Sequence, residues 1–249
     1  MAGPDSIFRR CQDYGIPGRS HPGMTGGVMR GHFITFEGGE GSGKSTHAAT
    51  LAQRLKSLGL EVVLTREPGG STGAEIIRHI LLSGIAKPLG AETEAILFAA
   101  ARDDHVRSTI LPALEVGHWV ICDRFIDSTR VYQGALGNVD QRLIRSLERV
   151  TVGPAVPELT FILDVPAQIG LARAKSRRGQ ATADRFEAES MDFHEKLRQA
   201  YRALAAEEPN RCIVIDGRAL RDVVADRIWS LVRERLHPEP AGVTETTGP

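Results

Sequence analysis

The chain has 249 residues, 41% of them hydrophobic and 25% charged, with Lys+Arg and Asp+Glu equal at 31 each. That balance suits a soluble globular protein and argues against a nucleic acid polymer as partner, which usually meets a strongly basic domain. The three cysteines, Cys11, Cys122 and Cys212, show neither disulfide-framework nor zinc-site spacing, which fits a reducing cytoplasm, and no apolar run reaches membrane-spanning length.

Residues 1–31 are rich in Gly, Pro and Arg without hydrophobic period and read as a disordered extension, with Met24 or Met29 as alternative starts. Arg9 and Arg10 have no apolar core behind them, so this segment does not read as a secretory signal. Residues 237–249 read as a disordered tail, and residues 32–236 as a single domain.

Short apolar runs at 33–37, 61–65, 119–122, 159–164 and 212–215 are continuous rather than alternating, the pattern of strands covered on both faces. Helical stripes fill the gaps: Ala48, Leu51, Ala52 and Leu55; then Phe193, Leu197, Tyr201 and Leu204; then Leu220, Val224, Ile228 and Leu231. The alternation predicts an α/β fold: a doubly wound, five-stranded parallel sheet with helices on both faces. Ligands of such a sheet collect beyond the carboxyl ends of its strands.

The first strand runs into Gly38-Gly39-Glu40-Gly41-Ser42-Gly43-Lys44-Ser45, a complete G-x-x-x-x-G-K-[ST] phosphate loop followed by Thr46 and an amphipathic helix. Glycines let the backbone turn its N–H groups inward as an anion nest, and the helix N-terminus adds partial positive charge. Lys44 would reach the β- and γ-phosphates of ATP, and the Ser45 hydroxyl would ligate Mg²⁺. The bland alternative, a Gly-rich turn without ligand, fits poorly with the whole motif in its strand–helix context. The Asn-Lys-x-Asp motif of GTPases is absent from the sequence, and a chain this short with a late arginine cluster leans towards kinases of small molecules.

The second strand ends in Thr65-Arg66-Glu67-Pro68-Gly69-Gly70 and the third in Asp123-Arg124-Phe125. Arg66 and Arg124 could clamp an acceptor phosphate with their rigid forks, or each could be a surface ion pair. Asp123 and Glu67 could hold waters around Mg²⁺, which prefers oxygen ligands and keeps part of its hydration.

Further along, Arg173, Lys175, Arg177 and Arg178 precede Gly179 and Gln180, and Asp184-Arg185-Phe186-Glu187 follow. This segment, about 175–187, reads as a lid able to close over the phosphates, or as a solvated basic face. The histidines His32, His47, His79, His105, His118 and His194 do not cluster at ligand spacing, and Cys122 and Cys212 read as core residues.

Phe36-Glu37-Gly38, Thr65-Arg66-Glu67-Pro68-Gly69-Gly70, Leu97-Phe98-Ala99-Ala100-Ala101-Arg102, Asp123-Arg124-Phe125 and Tyr132-Gln133-Gly134 occur in register. Together they resemble the thymidylate kinase family in its bacterial form, over about residues 33 to 236. The resemblance implies transfer of the γ-phosphoryl group of Mg-ATP to dTMP by a cytoplasmic homodimer of nucleoside-monophosphate-kinase type. It implies that Phe98 stacks on thymine, Arg102 bonds its edge, Ser128, Thr129 and Gln133 line the base pocket, and Tyr132 lies against C2′. Without it, plain core packing on a long helix is the competing reading of Phe98, and the weaker one. Glu40 matches the carboxylate that accepts the sugar 3′-hydroxyl. The transition-state arginine of the family comes from the phosphate loop or the lid; the matching loop position here is Gly41, which leaves Arg177 or Arg178. A kinase of another nucleotide or deoxynucleoside, and an inactive nucleotide-binding module, remain the competing readings.

Overall fold

The computed structural model describes residues 31–179 and 184–239. Residues 1–30 of the expected extension, 180–183 of the expected lid and 240–249 of the expected tail lie outside the described residues. Gly31 is buried and its N–H donates to Leu114 O at 2.9 Å, so packing starts one residue earlier than expected.

The sheet has five parallel strands in the order β2-β3-β1-β4-β5, comprising β1 (Phe33–Glu37), β2 (Val62–Arg66), β3 (Trp119–Asp123), β4 (Leu159–Asp164) and β5 (Cys212–Asp216). β1 and β4 begin and end as the sequence predicts. β2 is shifted by one residue, and β3 and β5 run one residue further, because the ladder continues through Arg66 opposite Asp123 and Asp164 opposite Asp216. The expectation that every strand is covered on both faces fails at the edges: Leu64 of β2 is 47% exposed and Val214 of β5 is 42% exposed. An edge strand lacks a neighbour on one side and is easily left uncovered by helices.

Alternation within β1 explains the two layers. Ile34 and Phe36 point to one face, where they pack with Leu51 and Leu55 of α1 (Lys44–Ser57) and Ile228 and Val232 of α9 (Arg221–Leu236). Phe33 points to the other, with Ile110, Leu114, Val120 and Phe125. That face also holds α8 (Met191–Glu207), which brings Leu197, Tyr201 and Leu204 against Ile162. The α1 stripe is buried as predicted, but Leu220 is 80% exposed because α9 starts after it and its buried row begins at Val224.

α2 (Thr72–Leu82) and α3 (Gly90–His105) pack against each other, and α3 continues through a π-helical stretch, Val106–Ile110, into α4 (Leu111–Glu115). After β3, α5 (Ile126–Thr129) passes into a second π-helical stretch, Arg130–Leu136, before α6 (Gln141–Thr151). π-Bulges occur often at functional sites. α7 (Ala167–Arg178) follows β4, and its last turn is the start of the expected lid. The chain winds to one side of β1 for β2 and β3 and to the other for β4 and β5. This switch point opens a crevice at the carboxyl ends of β1, β3 and β4. Among the described residues, no helix is long and apolar enough to cross a membrane.

Candidate active site

β1 delivers the phosphate loop to that crevice, and its glycines take conformations that side chains resist. Gly41 has φ +65°, and a Cβ there would stand 1.9 Å from Gly170 O of α7. No larger residue fits without moving backbone, so this loop position has no room for an arginine. Lys44 is buried, and its Nζ donates to Gly38 O at 3.0 Å and Gly39 O at 2.8 Å. Burial and the neighbouring Arg124 guanidinium lower its pKa to about 8. Ser42 Oγ donates to Gly39 O at 2.8 Å, which tightens the turn.

Ser45, at the start of α1, donates its hydroxyl to Asp123 Oδ2 at the end of β3. The other oxygen, Asp123 Oδ1, is buried and has no hydrogen-bond partner among the described residues. A buried carboxylate oxygen beside a hydroxyl is a donor set that suits a hard divalent cation with bound waters. Among the described residues no group of three or more His, Cys, Asp or Glu forms an all-protein metal cage.

Arg124 follows directly, with φ 68°, and its side chain is held on every side. Nη2 meets Glu40 Oε1 at 2.5 Å, and Nη1 reaches Gly38 O at 3.2 Å, Ser128 Oγ at 3.3 Å and the Tyr201 hydroxyl at 3.4 Å. Its guanidinium carbon lies 5.3 Å from the centre of the Tyr132 ring. For Glu40, burial pushes the pKa up, but Arg124 and Lys44 prevail and hold it down to about 2. The Tyr132 hydroxyl donates to the same Glu40 oxygen at 3.3 Å.

Beneath Arg124, Glu37 at the end of β1 is fully buried. It accepts from Phe125 N at 2.7 Å, Ser128 N at 3.2 Å, Ser128 Oγ at 2.7 Å and the Tyr201 hydroxyl at 2.8 Å. Burial and Asp127 push its pKa up, while Arg124 and those donors favour its charged form. Glu37 thereby anchors the first turn of α5 to the strand that carries the phosphate loop.

The cavity between the phosphate loop and α3 is lined by Glu40, Arg66, Phe98, Arg102, Arg124, Ser128, Thr129, Tyr132 and Gln133, so every expected acceptor-binding residue reaches it. Gly41, Gly43, Lys44, Ser45, Asp123 and Glu67 line it too. Gly38 and Gly39 turn their carbonyls to Lys44, Ser42 is buried, and Thr46 is exposed on the first turn of α1. Arg66 pairs with Glu75 at 2.8 Å.

Glu67 lines the cavity beside Ser45 and Asp123, and protein groups also meet its carboxylate. Its Oε2 accepts from Arg102 Nε at 2.9 Å and its Oε1 lies 3.1 Å from His105 Nδ1, so both oxygens are engaged inside the protein. Of the lid arginines, Arg177 lines the cavity, 3.6 Å from Glu187, while Arg178 closes on the same carboxylate from outside the lining. Phe186, near the end of the expected lid, packs edge-on to Tyr132 at 5.3 Å and tilted to Phe98 at 6.1 Å. Arg185 belongs to the docked side: it pairs with Glu94 at 3.0 Å and its backbone N–H donates to Leu82 O at 3.3 Å.

Several site residues escaped the sequence reading. Arg78 of α2 lines the cavity with Arg66 and donates to Pro68 O at 2.6 Å; burial and the neighbouring Arg66 lower its pKa. Its position on the helix after the Arg66 loop was the available signal. Glu37, Tyr201 and His105 gave none, since their partners are distant in sequence.

The thymidylate kinase family model matches residues 36–228. The chain is 59% identical to the thymidylate kinase of Bradyrhizobium diazoefficiens over 214 residues, 86% of this chain and 94% of that one. It is 62% identical to that of Nitrobacter winogradskyi over 207 residues, covering 83% and 90%. The crystal structure of thymidylate kinase from Ehrlichia chaffeensis superposes with a TM-score of 0.65 at 34% identity, over 82% of this chain and 99% of that chain.

Proposed function

Since the chain belongs to the thymidylate kinase family, we propose that it phosphorylates dTMP to dTDP with ATP through the residues that converge on this cavity. The observation that carries the reading is the meeting of the phosphate loop with Phe98, Arg102, Arg124 and Tyr132 around one cavity.

In this reading ATP lays its β- and γ-phosphates in the loop, where backbone N–H groups and Lys44 oppose their charge. The acceptor monophosphate lies at Arg66 and Arg124, with Arg78 close by. Thymine stacks on Phe98 with its edge at Arg102, between Ser128, Thr129 and Gln133. The sugar meets Tyr132 and Glu40. An oxygen of the dTMP phosphate attacks the γ-phosphorus, the bond to the β–γ bridging oxygen breaks, and ADP leaves. That oxygen is already ionised, so positioning and charge stabilisation suffice. Arg177 or Arg178, both beside Glu187, supplies the transition-state cation that Gly41 cannot.

Ser45 and Asp123, whose Oδ1 has no partner among the described residues, are the residues that would hold Mg²⁺, with Glu67 nearby in the cavity lining to hold its waters. When bound, the ion neutralises charge on the β- and γ-phosphates. A homodimer in the cytoplasm completes the proposal; exposed Ile76, Ile96 and Val150 on α2, α3 and α6 offer apolar surface for a second copy. Coupled ADP release with dTMP, dUMP, dCMP and AMP tests the assignment, and dTMP should give the highest kcat/KM.

A further inference from the structure

We propose that Glu67 and His105 are positioning residues for base selection: they hold the Arg102 fork so that one face of it is free for the base. The proposal rests on the reading of Arg102 as the residue that meets the thymine edge.

Arg102 is 2% exposed, and its guanidinium is fixed from two directions. Nε donates to Glu67 Oε2 at 2.9 Å, and Nη2 donates to Thr129 Oγ1 at 3.0 Å and Phe125 O at 3.4 Å. Nη1 has no protein partner among the described residues, on a side chain that lines the cavity. Glu67 is itself fixed by His105, on the same helix as Arg102 and one turn later, with Nδ1 3.1 Å from Oε1. The far ring nitrogen, His105 Nε2, lies 2.7 Å from Thr65 Oγ1. These partners set the tautomer: Nδ1–H donates to the carboxylate, and Nε2 accepts from the threonine hydroxyl.

The chain of contacts runs from Thr65 through His105 and Glu67 to Arg102, tying the end of β2 to α3. It is closely packed. A Cβ on Gly70 would lie 2.4 Å from both His105 Nε2 and Thr65 Oγ1, so the turn after Pro68 needs glycine there.

The arrangement bears on specificity because arginine only donates. A base with a carbonyl at its edge pairs with the free Nη1; a base with an amino group there sets donor against donor. Sites that hydrogen-bond a substrate group reject analogues without it far better than apolar sites do, provided the protein donor cannot swing away. Glu67 and His105 remove that freedom.

The test uses the full chain with Glu67→Gln, His105→Asn and His105→Phe, measuring kcat/KM for dTMP and dCMP, KM for ATP, the Mg²⁺ concentration giving half-maximal rate, and Tm. Glu67→Gln and His105→Phe should lower the dTMP over dCMP ratio by about tenfold or more, the size expected when a buried polar group loses its orientation. KM for ATP should stay at the wild-type value, as should the Mg²⁺ midpoint in the His105 variants. His105→Asn keeps an N–H near the place of Nδ1–H and should retain most of the ratio. Equal losses for dTMP and dCMP, or a Mg²⁺ midpoint raised by Glu67→Gln with an unchanged ratio, would overturn the proposal. Should Glu67→Gln fail to fold, the contrast between the two His105 variants decides. A wild-type chain without preference for dTMP overturns the reading of Arg102 and this proposal with it, and so is distinguishable from a preference that survives the substitutions.

Discussion

Glu40 of the phosphate loop and Arg124 at the end of β3 share a 2.5 Å ion pair, so the donor and acceptor halves of the site meet through one carboxylate. The pair is part-buried, where mutual attraction is screened less than at the surface. Arg124→Ala should raise KM for dTMP by about tenfold or more, and by more than KM for ATP, because it removes the charge-assisted contact to the acceptor phosphate while touching the loop through Glu40 and Gly38 O. Initial-rate measurements with each substrate varied in turn decide this, and equal KM effects on both substrates would place Arg124 elsewhere.

Lys44 gives a pH signature. Burial and Arg124 bring its pKa down to about 8, so the cation is present below that pH and fades above it. In the free enzyme, kcat/KM for ATP should therefore fall as pH rises through about 8. Lys44→Arg, whose guanidinium stays protonated, should lose that limb whatever its absolute rate. Lys44→Ala should lower kcat by about a hundredfold or more with the fold intact. A falling limb that persists in Lys44→Arg assigns the titration to another group.

The lid arginines separate chemistry from binding. Replacing Arg177 and Arg178 together with alanine should lower kcat by about a hundredfold or more and leave KM for dTMP near wild type, the pattern of a contact made in the transition state. The single variants then show which of the two carries the effect. A double variant with wild-type kcat would make the basic run a solvated face.

Gly41 explains why that cation must come from outside the loop. Gly41→Ala should destabilise the fold by about 1–3 kcal/mol through strained backbone and displace α7 from the loop. Urea titration reads the stability, and an unaffected midpoint would show that the approach to Gly170 O is looser than 1.9 Å implies.

Tyr132 packs over Arg124 and donates to Glu40, which puts its ring beside the groups assigned to the sugar. Tyr132→Ala should narrow the preference for dTMP over its ribose counterpart by about tenfold, the scale of a lost steric contact in a tight pocket. An unchanged ratio of kcat/KM values removes Tyr132 from sugar selection.

What was legible in the sequence was local. The phosphate loop and the α1 stripe depend on neighbours a few residues away: the loop joins β1 to α1 as the sequence predicts and the stripe is buried, while the ends of β2 and β3 were read to within one residue. Leu220 was misplaced because periodicity alone does not show where α9 begins. Edge strands read as buried because apolar content does not reveal position in the sheet. Contacts across the chain were invisible: Tyr201 meets Glu37 from 164 residues away, and His105 reaches Glu67 across 38. The partners of Glu67 on α3, Arg102 and His105, could not be read from the sequence either.

The most direct test of the account is ADP release by the purified chain with Mg²⁺ and ATP, comparing dTMP with dUMP, dCMP and AMP at equal concentrations. The account predicts a dTMP-dependent rate well above the others, lost in Lys44→Ala. Release that ignores dTMP, or that is faster with AMP or dCMP, would contradict it.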